Sequence, residues 1–144
     1  MSSLSAARIL VIANALGEAN ARGDWKLPVE PAFQQAEIET IRQWVWQGGS
    51  LFLIADHMPF PGAAEALARA FDILLVNGFA TDSSCTAAEF MFRRSDGTLN
   101  AHPITQGRGS AERIDSVRSF TGEAFRMLSG KLPKPARMRS SFST

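Results

Sequence analysis

Short apolar runs alternate with polar, glycine-rich segments along the first half of the chain. Two runs, Arg8–Asn14 and Leu51–Ala55, are continuous and too short for helices, which is typical of central strands in a parallel sheet. A third run, Ile73–Val76, predicts another strand. Because a central parallel strand is covered on both faces, we expect helices on both sides of the sheet.

Two amphipathic helices are predicted between these strands. The first begins near Pro31, since proline is favoured in a first turn, and ends at Gly48 and Gly49, since glycine readily forms a left-handed cap. The second spans about Gly62 to Phe71, where apolar residues recur three and four positions apart. The order strand, helix, strand predicts a βαβ unit with parallel neighbouring strands.

The second half of the chain shows a hairpin signal. Asp96 and Gly97 separate Glu89–Arg94 from Thr98–His102, and this dipeptide favours a tight β-turn between two arms. Arg113–Phe120 predicts a last strand.

The composition describes an ordinary soluble domain. The 144 residues are 45% hydrophobic and 20% charged with a net charge of +1, so no overall field favours nucleic acid or membrane. The single cysteine, Cys85, excludes an intrachain disulfide and fits a reducing compartment. The N-terminus lacks the pattern of a signal peptide, and no apolar run approaches the about 20 residues of a spanning helix. We expect a cytoplasmic protein whose partner is a small-molecule substrate.

The last residues differ from the rest of the chain. From Ser129 onward, glycine, proline, serine, lysine and arginine dominate, and such a segment has little apolar surface to bury. We therefore predict one α/β domain over residues 1–128 and a basic, disordered tail over residues 129–144.

An acid and an imidazole follow the second predicted strand directly. In open α/β sheets, ligands bind beyond the carboxyl ends of the strands, which is where Asp56 and His57 would lie. Asn14 ends the first strand and would lie near them, so we predict that it binds substrate. Adjacent side chains on a strand point in opposite directions, so Asp56 and His57 pair only if the chain bends sharply. The alternative for Asp56 is a structural role, either as a cap of the second helix or as an acceptor for loop amides.

Four further residues are candidates for chemistry. His102 is the other histidine and could act as a general base, because imidazole titrates near neutral pH. It could equally be a surface or packing residue. Ser83 and Ser84 are predicted to contact substrate. Together with Cys85 they are also the candidate nucleophiles, although no Gly-x-Ser-x-Gly motif surrounds them and an ordinary polar loop is the alternative.

Oxygen-bearing side chains are frequent in the predicted loops. Carboxylate and amide oxygens are the ligands that Ca²⁺ and Mg²⁺ prefer, so a divalent cation could bind where several of them converge. No motif of fixed spacing supports this site. The residues concerned are Asn14, Glu18, Asp24, Asp56 and Asp82, of which we predict Asp56 and Asp82 as ligands.

The chain resembles uncharacterised bacterial proteins of the class I glutamine amidotransferase-like group. The resemblance covers roughly Ile9 to Phe125 and implies a flavodoxin-like fold, in which helices flank a mainly parallel sheet in three layers. It is carried by Trp44-Val45, Gly48-Gly49-Ser50-Leu51, Ala55-Asp56-His57, Pro59-Phe60, Asp96-Gly97, His102-Pro103-Ile104 and Ser119-Phe120-Thr121-Gly122.

Two departures from the group limit what the resemblance implies. The nucleophilic Gly-x-Cys-x-Gly motif is missing, because Cys85 lies in the sequence Ser-Ser-Cys-Thr, so glutamine hydrolysis does not carry over. Such folds also usually open with an earlier β-α unit, whereas the first strand here begins at Arg8. We expect a sheet that lacks an edge or completes it through a partner. Since an unpaired edge over Ile9–Ile12 invites aggregation, we predict a homodimer.

Two hypotheses for function follow. The first is a small hydrolase acting on an ester, lactone or amide, assisted by a divalent cation in one version. Asp56 would hold the metal or orient the base, His57 or His102 would activate water, and backbone amides after the strand would stabilise the oxyanion. The second is a non-catalytic ligand-binding or protein-interaction module.

Overall fold

The structure is a computed structural model, and it describes residues 4–22, 27–80 and 89–128. Contacts divide the chain into two compact units, one formed by the residues up to Gly78 and those from Glu123 onward, the other by Phe79–Gly122. Within the described ranges, no helix is long and apolar enough to cross a membrane. The predicted tail over residues 129–144 lies outside them.

A parallel pair of strands forms the centre of the first unit. β1 (Ile9–Ala13) pairs with β2 (Ser50–Ile54) in a register that runs from Ile9 opposite Ser50 to Ala13 opposite Ile54. On one face, Leu10, Ile12, Leu51 and Leu53 pack against a buried helical cluster. The two strands predicted from the apolar runs, and their parallel pairing, are therefore confirmed.

Helix α1 (Gln35–Trp46) connects these two strands. It begins four residues after the predicted Pro31, where the Gln34 amide donates a hydrogen bond to Glu37 Oε2 at 2.9 Å. Its C-terminal end is as predicted, because Gly48 has a left-handed φ of 108°. Gly49 is needed for a close approach, since a Cβ there would lie 2.4 Å from the Trp44 indole.

Helix α2 (Phe60–Arg69) follows β2 and supplies the most buried side chain of the core. Its small residues Ala63, Ala64 and Ala68 are buried, which allows close packing. Leu67 is fully buried and forms a cluster with Ile38 and Ile41 of α1. The predicted apolar face of this helix is confirmed, although the helix begins two residues before the predicted Gly62.

The predicted three-layer, mainly parallel sheet is wrong. β3 (Ile73–Leu75) does not extend the parallel pair but pairs antiparallel with β6 (Phe125–Met127). In the second unit, β4 (Glu89–Arg93) and β5 (Ser116–Phe120) also form an antiparallel pair. The described residues thus contain three two-stranded sheets, of which one is parallel.

The uncovered face of β1 and β2 gives the physical reason for this error. Ile9, Val11 and Phe52 are 65%, 56% and 59% exposed, while α1 and α2 pack on the opposite face. A continuous apolar run is typical of burial on both faces, but here the burial alternates along each strand. The apolar runs therefore identified the two strands correctly, but the expectation that both faces of the sheet are covered was wrong. The homodimer stays a prediction.

In the second unit, the predicted hairpin is wrong in its second arm. The chain does turn after β4, where Gly97 has a φ of 78° and the Leu99 amide donates to the Arg93 carbonyl at 3.0 Å. The predicted second arm, Thr98–His102, is not a strand, and the partner of β4 is β5. The position beside β4 is occupied by β5, and the predicted arm leads instead into the short helix α3 (Pro103–Gln106), which begins with a proline.

The packing predicts a large difference between two leucines. We expect Leu67→Ala to lower the free energy of unfolding by about 2–5 kcal/mol, because it leaves a cavity at the centre of the core. Leu27 is 69% exposed, so Leu27→Ala, the matched control, should change it by less than about 0.5 kcal/mol. Urea unfolding of both variants measures the difference. Equal effects would contradict the placement of Leu67 in the core.

Candidate functional site

Asn14 joins the carboxyl ends of the two parallel strands. Its backbone amide donates to the Ile54 carbonyl at 2.9 Å, which extends the ladder by one bond. Its side-chain Oδ1 accepts a hydrogen bond from the Asp56 amide at 3.0 Å. Asn14 has a left-handed φ of 49°, a conformation that asparagine tolerates better than most residues. The predicted proximity of Asn14 and Asp56 is therefore confirmed.

Asp56 and His57 approach each other after β2. The distance from Asp56 Oδ2 to His57 Nε2 is 4.0 Å, and the two side chains are 38% and 16% exposed. On a straight strand these neighbouring side chains would point in opposite directions. Their short separation therefore shows that the chain bends after β2. The imidazole also contacts the Phe60 ring, with 6.1 Å between ring centroids. We call Asn14, Asp56 and His57 the strand-end site.

One contact of His57 indicates which ring nitrogen carries the proton. Nδ1 is 2.8 Å from the Met58 carbonyl oxygen. Because a carbonyl oxygen only accepts hydrogen bonds, Nδ1 must be the donor. In the neutral ring, Nε2 on the side of Asp56 is then the basic nitrogen.

The end of β3 adds a polar residue that the sequence analysis missed. Asn77 Oδ1 accepts a hydrogen bond from the Gly62 amide at 3.2 Å, and the Gly78 carbonyl accepts one from Met58 at 2.8 Å. A Cβ on Gly62 would lie 2.8 Å from the Asn77 amide group, so a larger residue there would displace this side chain. The signal was present, since Asn77 follows an apolar run just as Asn14 does.

Backbone amides near Asp56 are already engaged in hydrogen bonds. The amides of Asp56, Met58 and Phe60 donate to Asn14 Oδ1, the Gly78 carbonyl and the His57 carbonyl. Pro59 and Pro61 have no amide hydrogen to donate. These three amides are therefore engaged in the fold, while an oxyanion-stabilising role for backbone amides after the strand stays a prediction. The capping role considered for Asp56 is wrong, because Pro59 precedes α2 and no side chain caps it.

His102 belongs to the second unit and has a structural role there. Its Nδ1 accepts a hydrogen bond from the Ile104 amide at 3.2 Å, and its own amide donates to Thr105 Oγ1 at 3.2 Å. These bonds cap the first turn of α3. The contacts match the alternative considered for His102, while its catalytic role stays a prediction.

The remaining predicted residues lie outside the described ranges. These are Ser83 and Ser84, the predicted ligand Asp82, and also Asp24 and Cys85. Over the ranges that the structure does describe, no three histidine, cysteine, aspartate or glutamate side chains are grouped so that they could hold a metal ion.

The left-handed backbone at Asn14 predicts an unusual order of stability. Asn14→Gly removes the hydrogen bond to the Asp56 amide, which contributes about 0.5–1.5 kcal/mol. Asn14→Ala removes the same bond and also places a Cβ in the left-handed region, so we expect it to cost about 1 kcal/mol more than glycine. Urea unfolding measures both variants.

Asn100 provides the control for this comparison. It does not have a positive φ, so alanine there should be no worse than glycine. If alanine and glycine destabilise equally at position 14, the left-handed conformation of Asn14 is contradicted.

No protein-family model, curated protein or solved structure matches this chain. The resemblance to the glutamine amidotransferase-like group thus stays an expectation from the sequence.

Proposed function

We propose that the strand-end site hydrolyses a small ester, lactone or amide. The observation that supports this most is the position of His57, whose Nδ1 is held by the Met58 carbonyl while Nε2 lies 4.0 Å from the Asp56 carboxylate. With the proton on Nδ1, Nε2 is the basic atom of the neutral imidazole. Both side chains are partly exposed, so water and substrate can reach them.

The proposed reaction uses water as the nucleophile. His57 Nε2 takes a proton from water while the water oxygen attacks the substrate carbonyl carbon, and the imidazolium formed then donates a proton to the leaving group. The Asp56 carboxylate, 4.0 Å from Nε2, can attract the positive charge that develops on the ring in this step. A separation of 4.0 Å is too long for a direct hydrogen bond, but one water can hydrogen-bond to both groups.

A divalent cation could assist this reaction. Ca²⁺ or Mg²⁺ bound at Asp56 would polarise the substrate carbonyl and lower the pKa of a bound water. Its support is the carboxylate at the strand end, together with the predicted ligand Asp82. Chelator and added Ca²⁺ or Mg²⁺ test this cation-assisted reaction.

A second candidate is a non-catalytic ligand-binding or protein-interaction module. It is favoured by the engaged amides of Asp56, Met58 and Phe60, since a hydrolase gains much of its rate from donors aimed at the oxyanion. In this version Asn14, Asp56 and His57 would hold a polar ligand without reacting with it. A cytoplasmic location, proposed from the single cysteine, fits either function.

The assay follows hydrolysis of a panel of small esters, lactones and amides by the wild-type chain and by isosteric variants. We expect His57→Gln to lower kcat/KM by about 10²–10⁴, the usual contribution of a general base. Asp56→Asn should lower it less, because it removes only a negative charge beside the reacting ring. His102→Gln is the matched control and should leave the rate unchanged.

The outcomes separate the candidates. Loss of activity with chelator, restored by Ca²⁺ or Mg²⁺, would support the cation-assisted version. A rate that depends on His102 and not on His57 would contradict the proposed site. If the folded wild-type chain hydrolyses none of the panel with or without cations, the binding module is the better account.

A further inference from the structure

The second unit contains a cavity rich in arginine at one end of the β4–β5 ladder. Its volume is about 560 Å³, within the usual range for small-molecule pockets. Arg93 and Ser116 are register partners at this end, and the Arg94 amide donates to the Asp115 carbonyl at 3.0 Å. The lining residues are Arg93, Arg94, Ser95, Arg113, Asp115 and Ser116, and we call this the arginine cavity.

Positive charge exceeds negative charge in this lining. Three arginines and one aspartate are among the lining residues, which gives a formal charge of +2. The carboxylate, Asp115, accepts from Arg113 Nε at 2.9 Å and is 73% exposed, so solvent screens it. Asp96, outside the lining, already accepts two hydrogen bonds from Thr98. An anion is therefore the ligand that the lining favours.

Arg94 is held rigidly and has unused donor capacity. Its Nη2 donates to the Thr105 carbonyl at 3.1 Å and to the Ile114 carbonyl at 2.9 Å, which fixes the guanidinium plane. Its buried Nε makes no hydrogen bond to any described residue, but it forms an ion pair with Asp115 Oδ1 at 3.5 Å. The Arg94 side chain is 18% exposed, so its positive charge contributes to the lining although Nε itself is buried.

We propose that the arginine cavity binds the phosphate group of a small phosphorylated molecule. A phosphate monoester carries nearly two negative charges at neutral pH, which matches the lining, whereas a carboxylate carries one. One guanidinium group can donate two parallel hydrogen bonds to two oxygens of the same phosphate. The hydroxyls of Ser95 and Ser116 can donate to the remaining oxygens. The cavity volume exceeds that of the free ion, which leaves room for the organic part of an ester.

The test titrates the full chain with phenyl phosphate, inorganic phosphate and benzoate at constant ionic strength. Binding is followed by NMR through the arginine Nε–H signals and the amides of Ser95 and Ser116. We expect saturable binding of phenyl phosphate that is at least tenfold tighter than that of inorganic phosphate or benzoate. The Arg94 Nε–H signal should shift with the same affinity.

Matched arginine variants locate the binding. Arg93→Gln and Arg113→Gln should each weaken phenyl phosphate about tenfold or more, the usual effect of losing one charge-assisted hydrogen bond. Arg118→Gln removes the same charge from β5, but Arg118 is paired with Glu89 and lies outside the lining, so binding should not change. Amide spectra confirm that each variant is folded, and two lining variants are used in case one is not.

Three results would overturn the proposal. Shifts that do not saturate, or that weaken equally in all three variants, would indicate general charge attraction. Benzoate binding as tightly as phenyl phosphate would replace phosphate with carboxylate as the ligand. Equal binding of inorganic phosphate would assign the cavity to the free ion rather than to an ester.

Discussion

The hydrogen bonds of Asn14 are the constraint on which the strand-end site depends. The backbone of Asn14 continues the β1–β2 ladder, and its side chain receives the Asp56 amide. The direction in which the chain leaves β2 is thereby tied to the end of β1. Since the bend after β2 brings His57 toward the Asp56 carboxylate, the geometry of that pair follows from a contact between residues 42 positions apart.

Packing on one face of the parallel pair keeps that contact in place. Leu67 of α2 and Ile38 and Ile41 of α1 lie together against the inward side chains of both strands. Burial of these apolar side chains supplies most of the stabilisation available to this unit, while each polar contact at the strand end contributes about 1 kcal/mol. The core therefore holds the two strands together, and the polar contacts determine the direction in which the chain leaves β2.

The sequence predicted the parts of the molecule that depend on local patterns. β1, α1, β2 and the face of α2 follow from apolar spacing and from the Gly48 cap, and so the positions of Asn14 and Asp56 could be inferred. The pairing of β3 with β6 could not, because two three-residue strands far apart in the chain leave no periodic signal. The arginine cavity was missed for a similar reason, since Arg94 and Arg113 form no motif until the fold brings them together.

The protonation of the two histidine rings tests the account most directly. Long-range ¹H–¹⁵N NMR at a pH where both imidazoles are neutral identifies which nitrogen carries the proton. His57 donates from Nδ1 to the Met58 carbonyl, whereas His102 Nδ1 accepts from the Ile104 amide, so the account predicts opposite tautomers in one spectrum. A His57 ring protonated at Nε2 would contradict it, because the basic nitrogen would then point away from Asp56.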